Sequence, residues 1–146
     1  MASVRNCVLP EGLLYNVPAN VWARRESDGS LTVGMTAYAC ALTGEVVAFT
    51  PRKPGRAVEI NRSLGTIESG KWVGPVKAPV SGELLAVNDA AVANPKIVNA
   101  DPYGAGWLIR LRPTNWEGEA ASLVTGAAIA PAFEARMASD GFAGCA

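Results

Sequence analysis

Residues Ser63-Leu64-Gly65-Thr66-Ile67 lead into Glu68-Ser69-Gly70-Lys71, and the chain resumes as Val76-Lys77-Ala78-Pro79-Val80-Ser81-Gly82-Glu83-Leu84-Leu85-Ala86-Val87. Two β-type segments around a tight turn read as a hairpin with Lys71 at its apex. Gly70 is expected to let the backbone turn without a Cβ penalty. A lysine there stands clear of the fold with an accessible amine. On residue type alone it is a solubilising charge, but the position also suits an enzyme that must grip a turn and acylate one amine. Lys77, the nearest competing amine, alternates with inward-facing Val76 and Ala78. It is expected to point to solvent along a strand and to stay unmodified.

Working outward, Val21-Trp22-Ala23-Arg24-Arg25-Glu26 and Leu31-Thr32-Val33-Gly34-Met35-Thr36 flank Ser27-Asp28-Gly29-Ser30. The Asp-Gly pair tolerates positive φ, so this is a second hairpin. Leu31, Val33 and Met35 alternate with Thr32, Gly34 and Thr36, the period of a half-buried strand. An internal echo follows: Leu42-Thr43-Gly44-Glu45-Val46-Val47-Ala48-Phe49 matches Val80–Val87 position by position. A repeated strand-plus-turn unit implies two similar halves, each too small to bury its own apolar face. Packed together they predict a flattened barrel or sandwich with pseudo-twofold symmetry.

Between the copies, Pro51-Arg52-Lys53-Pro54-Gly55-Arg56 reads as a loop with a solvated basic face. Asn94-Pro95-Lys96-Ile97-Val98-Asn99 reads as one or two helical turns, and Asp101-Pro102-Tyr103-Gly104 as a turn. Trp107, Ile109 and Leu111 alternate with Leu108, Arg110 and Arg112, predicting a closing strand. From Thr114 the pattern is helical. Thr114 with Glu117 forms a capping-box signature, and Glu119 adds acid to the first turn. That helix is expected to end at Thr125-Gly126, and a second to run from near Pro131 to Asp140-Gly141. The expected division is an N-terminal extension over 1–19 packed on the barrel, a barrel over 20–113, and a helical segment over 114–146.

Composition narrows the function. A chain of 146 residues suits one domain, and its net charge of zero with 18% charged residues offers no strong field for nucleic acid or anionic lipid. No apolar run is long enough to span a bilayer. Met1-Ala2-Ser3-Val4-Arg5-Asn6-Cys7 lacks the apolar block of a secretory signal, so the expected location is cytoplasmic. Cys7, Cys40 and Cys145 are odd in number and far apart, which predicts neither a disulfide framework nor a zinc site and leaves a transient Cys7–Cys145 bridge as an unsupported alternative. Cys40 is expected to be a small core residue. With no histidine, Ser-His-Asp and Cys-His pairs and imidazole metal ligands are excluded. The chain is expected not to be an enzyme.

The context of Lys71 resembles a lipoyl-type hairpin: Glu68 three residues before it, Gly74-Pro75 after it, and then Ala78-Pro79-Val80-Ser81-Gly82-Glu83. More widely, the chain resembles the H-protein family of the glycine cleavage system. The matching residues are Thr32-Val33-Gly34-Met35-Thr36-x-Tyr38-Ala39, Leu42-x-Gly44-Glu45, Glu68-Ser69-x-Lys71, Ala78-Pro79-Val80-Ser81-Gly82, Asn94-Pro95 and Val98-Asn99-x-Asp101-Pro102-Tyr103-Gly104-x-Gly106-Trp107-Leu108. They cover roughly residues 20–113. The resemblance implies a mostly β fold: a flattened lipoyl/biotinyl-type hammerhead barrel with pseudo-twofold halves and C-terminal helices. It implies lipoic acid in amide linkage to Lys71, with Glu68, Ser69, Gly70 and Trp72 as the surrounding hairpin.

Asn20-Val21-Trp22 stands where the family usually opens His-Glu-Trp, and Trp72-Val73-Gly74-Pro75 where small and polar residues usually follow the lysine. These departures, with Cys7-x-x-Pro10-Glu11-Gly12-Leu13, look more like a divergent branch. That branch includes lipoate-binding proteins of heterodisulfide-reductase-like sulfur oxidation. The resemblance therefore implies a non-catalytic swinging-arm carrier of sulfur intermediates, with the aminomethyl carrier of glycine cleavage as the alternative. Implied partners are a lipoate-attaching enzyme and either a heterodisulfide-reductase-like complex or the glycine cleavage enzymes with dihydrolipoyl dehydrogenase. No nucleic acid or membrane is expected. Trp72 either covers the arm, anchors a docking enzyme, or folds back as ordinary apolar surface. A biotinyl carrier is disfavoured because its lysine normally lies between two methionines. An unmodified interaction module is the remaining alternative.

Overall fold

A computed structural model describes residues 2–146 of the chain. Eleven strands are present among them: β1 (Ala2–Val4), β2 (Cys7–Leu9), β3 (Leu14–Asn16), β4 (Val21–Arg25), β5 (Leu31–Met35), β6 (Val46–Pro51), β7 (Ala57–Val58), β8 (Ser63–Ser69), β9 (Val73–Lys77), β10 (Gly82–Val87) and β11 (Ile109–Pro113). Short helices α1 (Ala37–Thr43), α2 (Asp89–Ala93) and α3 (Lys96–Ala100) interrupt them, and α4 (Trp116–Glu119) and α5 (Ile129–Ser139) follow. A six-stranded sheet in the order β3-β4-β5-β11-β10-β7 faces a three-stranded sheet in the order β6-β8-β9. Val21, Ala23, Leu31 and Val33 from the first meet Leu64, Ile67 and Val76 from the second in one buried cluster. The result is a flattened barrel left open, since no ladder joins the two sheets.

The β4–β5 hairpin forms as expected, with Gly29 at φ 85° in its turn. Gly34 has a packing reason: a methyl there would stand 2.7 Å from the Trp22 indole, whose Nε1 donates to the Pro102 carbonyl at 2.9 Å. The echo is real in its strands. β6 and β10 each carry a register shift at the equivalent place, between Val46 and Ala48 and between Leu84 and Ala86. Its turns diverge, because Gly44 at φ 84° ends helix α1 whereas Gly82 lies within a strand. The segment over 76–87 is two strands in different sheets. Around Pro79, which has no N–H for a ladder, the chain crosses from β9 to β10.

Helices α1 and α2 were not expected from the sequence. Each starts from a side-chain cap, Thr36 accepting from Ala39 N and Asn88 from Ala90 N, and each is alanine-rich. The strand β11, expected to close the sheet, sits inside it between β5 and β10. The long helix from Thr114 is absent. Asn115 precedes α4 without a side-chain cap bond, and α4 passes into a 3₁₀ turn over Ala120–Ser122. Tertiary ties take over. The Glu119 carboxylate accepts from the Ser81 N–H at 2.7 Å and its hydroxyl at 2.8 Å, and Val124 pairs with Tyr15 in both directions.

A second buried cluster lies behind the six-stranded sheet. Ile129, Phe133 and Met137, four residues apart on α5, pack with Val4, Leu9, Tyr15, Trp22 and Tyr38. The β1–β2 turn, with Arg5 at φ 48° and Asn6 at φ 65°, belongs to the type I′ class. Arg5 pairs with Glu134 of α5 at 2.8 Å, and its carbonyl accepts from Cys145 N at 2.8 Å.

That contact corrects the reading of the terminal cysteines, for which the sequence left open no more than a transient bridge. Cys7 and Cys145 form a disulfide, with Cα atoms 5.0 Å apart across a sequence separation of 138. Only the meeting of the two termini makes the bond possible, so spacing gave no sign of it. Cys40 is the remaining thiol among the described residues; burial pushes its pKa up to about 12, which makes it an inert core residue. In the chain-entropy model a cross-link closing so long a loop stabilises by about 5 kcal/mol. Replacing Cys145 by serine should therefore lower the thermal midpoint by roughly 10–20 °C. Scanning calorimetry of the variant beside the oxidised parent checks this, and equal midpoints would refute it.

Candidate functional site

Strands β8 and β9 pair from Ser63↔Lys77 to Glu68↔Val73, leaving Ser69-Gly70-Lys71-Trp72 as the tip. Ser69 N donates to the Trp72 carbonyl at 2.8 Å, closing the turn. Lys71 is exposed at its apex. Gly70 does not have the role expected of it. Its φ is not positive, and a methyl there would meet nothing within 4 Å. The fold itself therefore tolerates a side chain at that position.

The tip is held from below by Ser69, expected in the hairpin, and by Thr43, Gly44 and Asn99, to which the sequence assigned no role at the site. The Ser69 hydroxyl is buried, donates to the Thr43 carbonyl at 2.6 Å and accepts from Lys71 N at 3.3 Å. Thr43 is the last residue of α1, so one hydroxyl ties the hairpin to the end of that helix. Gly44 continues the platform, with its N–H bonded to the Cys40 carbonyl at 2.9 Å. The Asn99 amide then brackets the loop, donating to the Gly44 carbonyl at 2.9 Å and accepting from Val46 N at 2.8 Å. The Lys71 chain leans over this platform; a methyl on Gly44 would stand 3.1 Å from Lys71 Cε. The spacing of Gly44 and Asn99 gave no hint that both serve Lys71, because α1 and α3 meet the hairpin only through the fold.

Glu68 is exposed on the outward face, between Ala48 and Val73 in the neighbouring strands. Trp72 is 41% exposed, and its ring lies over Gly74, leaving no room there for a Cβ. The same indole walls a cleft of about 360 Å³ between the hairpin and the β4–β5–α1 side, lined also by Val21, Met35, Leu42, Ile67 and Val76. Trp72 thus folds back on its own strand and borders the cleft at once. Lys77 is exposed at the far end of β9 and also lines that cleft.

The model of the family described as "Glycine cleavage H-protein" matches residues 13–135. The chain belongs to this family. It is 49% identical over 128 residues to "Glycine cleavage system H protein 5" of Aquifex aeolicus, covering 85% of this chain and 86% of that protein. "Probable glycine cleavage system H protein 2" of Sulfurisphaera tokodaii is 46% identical over 130 residues, covering 88% and 87% of the two chains. The crystal structure of a glycine cleavage system H protein from Mycobacterium marinum aligns with a TM-score of 0.68 at 35% identity, over 73% of this chain and 87% of that one. Family members carry lipoate covalently on a lysine and are non-catalytic carrier subunits. Among the described residues no cluster of metal-ligating side chains forms, and no helix is long and apolar enough to cross a membrane.

Two glycines at the site should separate cleanly. Gly44→Ala forces a side chain into left-handed φ beneath Lys71 and should cost about 1–3 kcal/mol. Gly70→Ala should stay within about 0.5 kcal/mol of the parent. Urea denaturation of the two variants checks this, and equal losses would contradict the geometry.

Proposed function

We propose that this H-protein family member is a swinging-arm carrier with lipoate amide-linked to Lys71, moving the aminomethyl group of glycine between the enzymes of glycine cleavage. The supporting observation is the placement of Lys71 beside its rivals. Of the four lysines, Lys53 lies in a loop, Lys77 at a strand end, and Lys96 3.9 Å from the Glu45 carboxylate. Lys71 occupies a two-residue turn with a moored backbone, which a modifying enzyme can grip. Amide formation replaces an ammonium by a neutral group and lowers the cost of laying the arm in the apolar cleft beside Trp72. Once attached, the dithiolane supplies the sulfur chemistry for which the chain has no groups of its own. The tether holds it at roughly millimolar effective concentration for a docked partner. Partners on this reading are a lipoate-attaching enzyme, the decarboxylase, the aminomethyltransferase and dihydrolipoyl dehydrogenase. Glu68, Gly70 and Trp72 form the surface the attaching enzyme reads, and the buried Ser69 holds the tip in place beneath it. Residues 20–113 form the carrier, braced by 1–19 and 114–146.

A second cargo, sulfur bound to the arm and delivered to a heterodisulfide-reductase-like complex, is favoured by one feature. The charged side chains lining the cleft are Lys77 and Arg136, with no carboxylate among them. An aminomethyl cargo is a cation near neutral pH and finds no counter-charge in this lining. An anionic sulfur species finds the Lys77 ammonium there, while Arg136 is already engaged by Asp140 at 3.1 Å. Relatives from one Aquifex strain carry the numbers 2, 3 and 5, so several such proteins coexist there.

Lys71→Arg should abolish lipoylation and carrier activity while the thermal midpoint stays put, because guanidinium keeps the charge but forms no lipoyl amide. Lipoate gained by the variant, seen in intact mass, would remove the assignment. For the cargo, lipoylated protein is offered separately to a glycine decarboxylase with glycine and to a sulfur-donating enzyme. Loading from glycine alone eliminates the sulfur reading, and loading from sulfur alone eliminates the glycine reading.

A further inference from the structure

Charge is neutral in total but is sorted along the three-stranded sheet. At the Lys71 end stand Glu45 and Glu68. The other end, about 20 Å away along the seven residues of β8, carries Arg52, Lys53, Arg56 and Arg62, all exposed. None of these four is in an ion pair among the described residues. Arg5, Arg24, Lys96 and Arg136 take Glu134, Glu26, Glu45 and Asp140. Arg52, Arg56 and Arg62 surround an open hollow of about 280 Å³ in which Glu59 is the one carboxylate.

The backbone that presents these guanidiniums is pinned at several points. Gly55 N donates to the Leu84 carbonyl at 2.7 Å, Leu84 N to Arg56 at 2.9 Å, Asn61 N to Ala78 at 2.9 Å and Ala78 N to Arg62 at 2.8 Å. Arg52 N reaches the Leu64 carbonyl at 2.9 Å, and its Nε donates to the Ser63 carbonyl at 2.7 Å. A plain solvated loop needs no such fixing.

We propose that this arginine rim is a docking patch for a partner protein whose own surface carries a cluster of carboxylates. The inference rests on the carrier reading, in which partners must lie beside the Lys71 tip. Guanidinium forks match carboxylates in bidentate geometry. The hollow is too open to hold a lone small anion against screening, so several carboxylates on one rigid surface are the fitting ligand. A partner burying about 800 Å² per side covers a disc about 30 Å across, enough to span the sheet from rim to tip. The outward face between them, with Thr50, Thr66, Pro75 and Val73, is exposed. Unpaired positive charge confined to one end then fixes which way round the carrier lies.

The test uses the Arg56→Glu/Arg62→Glu variant, which spares the Arg52 bond to Ser63. Lipoylated parent and variant are compared as substrates of dihydrolipoyl dehydrogenase at low and high salt. The expected result is a roughly 10-fold lower kcat/KM for the variant at low salt, vanishing at high salt, with kcat unchanged. Equal kcat/KM at both salts overturns the proposal. If the protein carries no lipoate by mass, the carrier reading fails on its own. Amide-shift titration of the unmodified protein with a polyglutamate peptide then decides for the rim, and a peptide that leaves residues 52–62 unshifted overturns it. Stronger shifts there from a DNA duplex than from the peptide also overturn it.

Discussion

The Ser69 hydroxyl donating to the Thr43 carbonyl at 2.6 Å is the bond on which the geometry of the tip depends. A two-residue hairpin end projecting into water has few contacts of its own. Here it is tied to the end of α1, and that end is stabilised in turn by the Gly44 left-handed residue and the Asn99 bracket. Each group meets a backbone partner that would otherwise be orphaned where a helix stops. A rigid base with one loose, exposed side chain is what a tethered group requires. The backbone of the tip is fixed by these hydrogen bonds, while the Lys71 side chain is exposed.

The rest of the fold supports that base from behind. The disulfide, the Arg5–Glu134 pair and the α5 face close the two termini over the six-stranded sheet, opposite the three-stranded one. Tyr38 of α1 donates its hydroxyl to Asp140 and packs against Phe142, so the C-terminal brace touches the same helix that moors the hairpin. Burial and the Asp140 partner raise the Tyr38 pKa to about 12, keeping that hydroxyl a donor across the ordinary pH range. Helix α1 thus has the tip at one end and the closed termini along its side.

Chemistry on this scaffold is delegated. Family members are non-catalytic carrier subunits, and in this chain histidine is absent and the Cys40 thiol is buried. What it does control is where charge lies: cations at the cleft, acids near the tip, and arginines at the far rim. On the proposed carrier reading, these positions bear on which cargo the cleft accepts and how a partner approaches.

The β-rich barrel and the apex lysine were legible in the sequence because both are written locally: period-two alternation, Asp-Gly and Ser-Gly turns, and a repeated strand unit whose two copies carry the same bulge. The tail was half legible. The second helix was expected from near Pro131 and runs Ile129–Ser139, whereas the capping signature at Thr114 lost to Glu119 binding Ser81, a contact between residues 38 positions apart. The cysteine pair, the Thr43–Ser69 tie and the role of Asn99 were set only by the tertiary structure. Hydrogen bonds and cross-links between distant segments depend on where folding brings them. No local pattern records that, since the same residues elsewhere in a chain would be ordinary turn and surface groups.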